Sequence, residues 1–241
     1  MFFLTKKFTL ADSGIFDGLT DWHSHVLPGV DDGLKNAQES YAILDHYEEL
    51  GVRELWLTPH IMEDVPNDPE SLKHNFEEFK GAYAGGIQLN LAAENMIDNL
   101  FESRLKERNL LPLGGKGKSL LVETSYYNPP MGLQRVLAQI KIDGLTPVLA
   151  HPERYRYMAI PDYEHLKSTG VLFQLNMPSL IGAYGKTAKE KAEEFMKRGW
   201  YEFVGFDLHS YSSLKRYLEC KLPAKFIEKI KLINEGSKNL I

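Results

Sequence analysis

Short apolar runs alternate along this chain with longer segments in which apolar residues recur every three or four positions. The short runs are bounded by turn residues and are typical of buried strands. The longer segments are amphipathic and predict helices, and glycines at positions 51, 144 and 199 supply helix stops. Strands are predicted at 19–25, 53–59, 86–94, 119–125, 146–152, 171–176 and 202–209, and helices at 36–51, 68–85, 131–144 and 187–200.

This alternation predicts an α/β fold with a parallel sheet, either open or closed into a barrel. The chain of 241 residues is long enough for one large core. Because no repeat, low-complexity segment or long linker divides it, we expect a single domain. The last segment, 224–241, predicts a final helix packed on the outside.

Composition and charge narrow the functional classes. The chain is 43% hydrophobic and 25% charged, which is ordinary for a globular enzyme and excludes a disordered chain. A net charge of −5 argues against nucleic acid as a partner, but leaves room for a small phosphorylated group bound at one site.

Cysteine usage and hydropathy bear on the compartment. The single cysteine, Cys220, excludes an intrachain disulfide and favours a reducing environment. No apolar run approaches the roughly 20 residues that cross a bilayer, and the first residues lack a secretory signal pattern. We therefore expect a cytoplasmic protein without membrane insertion.

Residues that can bind metals lie at the carboxyl ends of the predicted strands. In parallel α/β proteins this edge is where loops converge and ligands bind. For any one residue, an ordinary polar strand end is an equally good interpretation, but six strands that end in this way favour a common site. The residues are His23, His25, His60, Glu94, Glu123, His151, Asp207 and His209.

Their chemistry predicts a cluster of metal ions. Residues i and i+2 of a strand point to the same side, so His23 and His25 can face one ion, as can Asp207 and His209. Imidazoles and carboxylates suit zinc, iron or manganese. The set exceeds what one ion uses, so we expect two or three, and the glutamates Glu94 and Glu123 would need cations between them.

Other residues define the type of chemistry. Arg154 follows His151 by three positions, and its guanidinium near a metal cluster suggests an oxyanion substrate, although a surface ion pair is an alternative. Cys220 is not expected to be a nucleophile, because position 226 is Phe where a cysteine phosphatase needs arginine. His46, His74 and His165 fall in helical segments and are expected to lie outside the site.

The motifs together resemble those of the PHP (polymerase and histidinol phosphatase) superfamily. The branch that they resemble most is the bacterial capsule-associated protein-tyrosine phosphatases, which oppose tyrosine kinases in polysaccharide export. The resemblance spans residues 21 to about 210. It is carried by DWHSHVLPGVDDG (21–33), LTPH, AAE, LVETS, LAHPERY and FDLHS.

The resemblance implies a distorted seven-stranded (β/α) barrel that holds three metal ions, manganese or iron, with zinc common in relatives. It also implies catalytic roles for His151, Asp207 and Arg154, with Arg154 binding the substrate phosphate. The implied ligands are His23, His25, Glu94 and Asp207 for the first ion, Asp32, His60 and His209 for the second, and Glu123 and His151 with bridging Glu94 for the third.

Two features depart from the family pattern. About twenty residues precede the His-x-His pair, so we divide the chain into an extension, 1–20, and a catalytic domain with a C-terminal helix, 21–241. The extension is expected to form an extra strand or a subunit contact, and the second case would make the protein a homo-oligomer. The loop after Asp207 lacks the expected second phosphate-binding arginine, and Lys215 or Arg216 is predicted to replace it.

The resulting hypothesis is metal-dependent hydrolysis of a phosphate monoester, with phosphotyrosine in the tail of a bacterial tyrosine kinase as the expected substrate. The alternatives are a histidinol-phosphate or other small-molecule phosphatase, an amidohydrolase-type metal hydrolase, and a non-catalytic binding protein that retains the fold. The complete ligand set argues against the last of these.

Overall fold

Parallel strands joined by helices make up the fold, as the sequence predicts. The structure, a computed structural model, describes residues 6–240. In that range the strands are β1 Lys7–Thr9, β2 Thr20–Ser24, β3 Glu54–Leu57, β4 His60–Ile61, β5 Gln88–Leu91, β6 Glu94–Met96, β7 Ser119–Glu123, β8 Thr146–Ala150, β9 Leu172–Asn176, β10 Phe203–Gly205 and β11 Lys221–Pro223. The α-helices are α1 Ala37–Leu50, α2 Pro69–Ala82, α3 Phe101–Glu107, α4 Leu133–Ile142, α5 Ile160–Ser168, α6 Met177–Leu180, α7 Gly185–Arg198, α8 Tyr211–Leu218 and α9 Ala224–Ser237.

The parallel strands form a half-barrel that is divided into two sheets, and β1 and β11 form a separate pair. One sheet has six strands in the order β10-β9-β8-β7-β6-β4, and the other has three in the order β2-β3-β5. The chain leaves the smaller sheet after β3 and joins the larger one at β4. Pro59, between these strands, has no N–H to donate, so the ladder breaks there. A second break, between β5 and β6, falls at Ala92 and Ala93.

Backbone hydrogen bonds join the two sheets beside β2. The N–H of His25 donates to the carbonyl of Leu208 at 3.1 Å, and the N–H of Asp207 donates to the carbonyl of His23 at 2.8 Å. The segment after β10 therefore runs alongside the end of β2, although the two strands belong to different sheets.

Helix ends follow the sequence signals. The Asn36 side chain accepts from the N–H of Glu39 and caps α1, and Gly51 ends that helix at a φ of 97°, a left-handed conformation that glycine adopts without steric cost. Asp68 caps α2 in the same way.

Some elements were not predicted from the sequence, or were expected without bounds or partner, because they are short or depend on distant segments. Helices α3 and α6 have 7 and 4 residues, too few to show a clear helical period, and α8 is amphipathic but has only 8 residues. Strand β1 lies in the extension, where an extra strand was one of two expectations, and it pairs antiparallel with β11 near the other end of the chain, with Phe8 opposite Leu222. The first five residues of the extension lie outside the described range.

Apolar side chains, most of them from the strands, form a cluster beneath the carboxyl ends of the parallel strands. Trp22 and Trp56 stack with ring centroids 5.6 Å apart, and Phe203 packs edge-on against Trp22 at 5.4 Å. Leu121, in the same cluster, lies two residues before Glu123 on β7 and so faces the same side of the sheet. The candidate site therefore has an apolar floor.

Among residues 6–240, no helix is both long and apolar enough to cross a membrane.

Candidate metal centre

The pairing of the strands brings the predicted ligand residues close together. In the larger sheet His60 is directly opposite Glu94, and Met96 of β6 is opposite Glu123 of β7. His151 follows β8, and Asp207 follows β10. His23 lies in β2, where the register with β3 shifts between Asp21 and Ser24.

The first group of converging side chains comprises His23, His25, Glu94 and Asp207. All four are buried, and their ligand atoms lie within 4.8 Å of one another. His25 Nε2 is 3.3 Å from Glu94 Oε2 and 3.3 Å from Asp207 Oδ1. These four are the residues that the resemblance implies for the first ion.

A second group adjoins the first through His25. It contains Asp32, His60 and His209 together with His25. Asp32 Oδ1 lies 3.5 Å from His60 Nε2 and 3.4 Å from His209 Nε2. Asp32 is exposed whereas His25 is buried, so this group lies at the mouth of the site.

A third group contains His60, Glu94 and Glu123. His60 Nδ1 is 3.2 Å from Glu94 Oε2 and 3.1 Å from Glu123 Oε1. His151, which the resemblance implies here, has its Nε2 2.8 Å from Glu94 Oε1 and 3.8 Å from Glu123 Oε2. Thus Glu94 contacts both histidines and is central to the whole cluster.

Supporting residues hold the imidazoles in place, and the sequence analysis missed them. Asp31 Oδ2 lies 2.7 Å from His25 Nδ1, and Gln174 Oε1 lies 2.9 Å from His23 Nδ1. Each leaves the histidine's Nε2 free for the centre, as the outer partners of metal-binding histidines do. The available signals were the doubled aspartate at 31–32 and a glutamine between the apolar residues of β9.

Two site residues adopt unusual backbone conformations. His151 has a φ of 35° and Asp207 a φ of 49°, in the left-handed region that costs a side chain about 1 kcal/mol or more. Strained backbone of this kind clusters at functional sites.

Burial and contacts between the histidines and the carboxylates shift the pKa values of the residues in the cluster. Burial alone would lower the pKa of His23, but Glu94 and Asp207 outweigh it and raise that pKa to about 9. Burial likewise opposes ionisation of Glu94, yet His23 and His151 hold its pKa well below the usual range. The centre therefore stabilises ionised carboxylates that positive charge must balance.

The donor set fits metal ions. Imidazole nitrogens and carboxylate oxygens suit zinc, iron and manganese. The buried Nδ1 of His60 has no hydrogen-bond partner within residues 6–240, although it faces Glu94 and Glu123. A lone pair directed at a shared cation accounts for this arrangement better than a poorly aligned hydrogen bond does.

Arg154 lies beside the cluster between two aromatic rings. Its guanidinium carbon is 4.3 Å from the centroid of Tyr126 and 4.1 Å from that of Tyr184. Its Nη1 donates to Asp207 Oδ2 at 2.6 Å, and Asn176 Nδ2 donates to the same oxygen at 3.0 Å. The two tyrosines and Asn176 are further residues that the sequence analysis missed.

A cavity of about 350 Å³ opens onto the cluster and Arg154. From α8 its lining includes Ser213 and Tyr217. Lys215 and Arg216 are exposed on the same helix, with Lys215 Nζ over the Tyr211 ring at 4.7 Å. Neither of these two basic residues lines the cavity.

The remaining histidines lie on helices, as predicted. His46 belongs to α1, where its Nδ1 is 3.3 Å from the hydroxyl of Tyr211. His74 is an exposed residue of α2, and His165 belongs to α5.

The fold and this cluster define a class: a parallel α/β protein with a cluster of His, Asp and Glu side chains that could hold metal at the carboxyl ends of its strands. The family model for capsular polysaccharide synthesis, CpsB/CapC, matches residues 19–236. The chain belongs to this family.

Named relatives support the assignment. The tyrosine-protein phosphatase YwqE of Bacillus subtilis is 28% identical over 198 residues, which cover 80% of this chain and 78% of the relative. The tyrosine-protein phosphatase CpsB of Streptococcus pneumoniae is 28% identical over 214 residues, covering 83% and 87%. A solved structure, from a study of YwqE and CpsB as metal-dependent tyrosine phosphatases, aligns with a TM-score of 0.75 at 23% identity and covers 90% of this chain and 86% of the other.

Proposed function

We propose that this protein is a metal-dependent protein-tyrosine phosphatase. The observation that carries the proposal is the convergence of His23, His25, Glu94 and Asp207, with Arg154 bound to Asp207 at 2.6 Å. The names of the relatives agree: YwqE and CpsB are tyrosine-protein phosphatases.

Three ions, manganese or iron with zinc as an alternative, are the proposed complement. We assign His23, His25, Glu94 and Asp207 to the first, and Asp32, His60 and His209 to the second. Glu123 and His151 share the third with Glu94. A neutral imidazole offers one lone pair, so His60 belongs to the third ion instead of the second if it binds through the Nδ1 that lies 3.1 Å from Glu123. Bound divalent ions in such a centre lower the pKa of coordinated water and neutralise charge on phosphoryl oxygens.

The protein's own residues bind and orient the phosphoryl group. Arg154 has donors beyond the Nη1 that Asp207 occupies, and its fork geometry matches phosphate oxygens. Tyr126 and Tyr184 restrict the guanidinium between their rings, so little side-chain entropy is lost when it binds substrate. Asp207 orients Arg154 towards the cluster while its other oxygen faces His23 and His25.

The leaving group suits a site with few proton donors. A phenol has a pKa near 10, far below that of an aliphatic alcohol, so phosphotyrosine requires less assistance from a general acid. The buried carboxylates Glu94 and Asp207 are held ionised by neighbouring histidines and cannot donate that proton.

The experiment is a substrate panel combined with metal analysis. Purified protein is assayed with a phosphotyrosyl peptide, p-nitrophenyl phosphate, histidinol phosphate and an amide, before and after chelation and after manganese is restored. We expect hydrolysis of the peptide, loss on chelation, and recovery with manganese. Preference for histidinol phosphate or for the amide would contradict the proposal.

Variants test the assigned roles. His151→Ala and Arg154→Ala should each lower turnover of p-nitrophenyl phosphate by at least about 100-fold, the typical cost of removing one group that stabilises developing charge. Near wild-type rates would contradict the assignment. Circular dichroism of each variant controls for folding.

Lys215 and Arg216 remain candidates for a second phosphate contact. Both are exposed on α8, outside the cavity lining, so binding would require their long side chains to reorient. A raised KM for phosphotyrosyl peptide in Lys215→Ala or Arg216→Ala would support the role, and an unchanged KM in both would reject it.

The remaining assignments concern organisation and setting. We propose that the two parallel sheets make up one distorted seven-stranded barrel, in which β3 with β4, and β5 with β6, each count as one interrupted strand. We further propose the division into an extension, 1–20, and a catalytic domain, 21–241. The proposed partner is a phosphotyrosine-bearing tail of a bacterial tyrosine kinase, and the proposed location is the cytoplasm. A homo-oligomer in which the extension contacts a second subunit stays a prediction.

A further inference from the structure

A second cavity, of about 520 Å³, adjoins the one above the metal centre. The two share Tyr126, Arg154 and Tyr184 as lining residues. A substrate held by Arg154 in the first cavity therefore has a direct path into the second. We call the second cavity the side pocket.

Basic residues line the side pocket, although the whole chain has a net charge of −5. Arg156, Lys186 and Lys191 contribute side chains to it, together with Arg154. The carboxylate in the lining, Glu153, is buried and already accepts hydrogen bonds from the N–H of Asn176 and the hydroxyl of Tyr201.

The lysines are already engaged by the protein. Lys191 Nζ donates to the carbonyls of Tyr155 and Met158, at 2.5 and 2.9 Å. Lys186 Nζ lies 3.7 Å from Glu190. Both add positive potential, but neither offers a full set of free donors.

Arg156 is the cation available for a ligand. Its backbone N–H donates to the carbonyl of Tyr126 at 2.8 Å, which fixes its position beside the shared wall. Its guanidinium lies over the ring of Tyr127 at 4.8 Å, and Tyr127 is an exposed residue. Among the described residues, 6–240, no carboxylate lies within ion-pairing distance of the Arg156 guanidinium.

We propose that the side pocket is a subsite for an anionic side chain of the substrate peptide close to the phosphotyrosine, and that Arg156 binds it. The inference rests on the proposed phosphatase function and adds a preference for acidic sequence context. The ligand chemistry is a carboxylate or a second phosphoryl group, either of which matches the guanidinium.

The test measures binding separately from hydrolysis. Peptides carry a non-hydrolysable phosphonate analogue of phosphotyrosine and are flanked by alanine, by glutamate or by phosphoserine. Their affinities for the manganese-loaded protein are measured by calorimetry. We expect the glutamate-flanked peptide to bind about fivefold more tightly than the alanine-flanked one, the value of a partly exposed ion pair.

Arg156→Ala should remove that difference, and Arg156→Glu should reverse it in favour of a lysine-flanked peptide. The matched control is Arg53→Ala, which removes the same charge just before β3, at the opposite end of the strands from the site, and should keep the wild-type ratio. A ratio that is unchanged in both Arg156 variants overturns the inference. If phosphoserine alone shows the effect, the ligand is phosphoryl rather than carboxylate.

The experiments distinguish failure of the proposed function from failure of the subsite inference. If ordinary phosphotyrosyl peptides are not hydrolysed, the phosphatase proposal fails, whereas the affinity ratios still decide the role of Arg156. If the peptides are hydrolysed but all flanks bind equally, the subsite inference alone fails.

Discussion

Gly205 at the end of β10 allows two backbone segments of the site to approach closely. A Cβ added there would lie 2.4 Å from His23 Cβ and 3.0 Å from His23 N. Carbon atoms in contact normally lie about 3.5–4.0 Å apart, so Gly205→Ala would force a shift of about 1 Å. His23 cannot retreat freely, because its carbonyl accepts from the N–H of Asp207 at 2.8 Å.

The expected cost of Gly205→Ala is about 2 kcal/mol in the free energy of unfolding, as for other overpacked cores. Because a shift of about 1 Å moves His23 within the centre, activity should also fall by about 100-fold. Urea unfolding gives the first quantity, and hydrolysis of p-nitrophenyl phosphate gives the second.

The matched control for this substitution is Gly81→Ala in α2. Apart from its chain neighbours and the backbone of its own helix, no atom lies within 4 Å of a Cβ built there, so alanine should stabilise the helix by up to about 1 kcal/mol. A Gly205→Ala protein with the wild-type unfolding midpoint and full activity would refute the close approach of the two segments.

Three further substitutions test separate features. Asp31→Ala removes the partner of His25 Nδ1 and should weaken metal affinity by about 10- to 100-fold, as measured by metal titration; unchanged affinity would contradict its supporting role. Asn234→Ala leaves the backbone N–H of Thr20 unpaired and should cost about 1–3 kcal/mol in urea unfolding, whereas wild-type stability would show that this anchor of α9 is dispensable. Cys220→Ala should retain phosphatase activity, and its loss would indicate thiol chemistry.

Local patterns in the sequence determine the secondary structure that surrounds the site. Asn36 and Gly51 mark the ends of α1 because capping and left-handed backbone are properties of a few residues. The bounds and the partner of strand β1 could not be recognised in this way. It has three residues and depends on pairing with β11, more than 200 residues later, which no local pattern encodes.

The candidate ligands were predictable because strand ends in a parallel sheet share one edge. That rule places His23, His60 and Glu94 together without knowledge of any distance. It did not find Tyr184 or Arg156, whose positions depend on how loops fold over the edge.

The sequence by itself therefore determined the alternation of strands and helices, and the chemical types that gather at the strand ends. Only the tertiary structure decided the division into sheets of six and three strands, because pairing partners depend on breaks such as that at Pro59. It also decided which polar residues support the centre. Asp31 and Gln174 reach His25 and His23 through side-chain contacts that arise only when distant segments pack together.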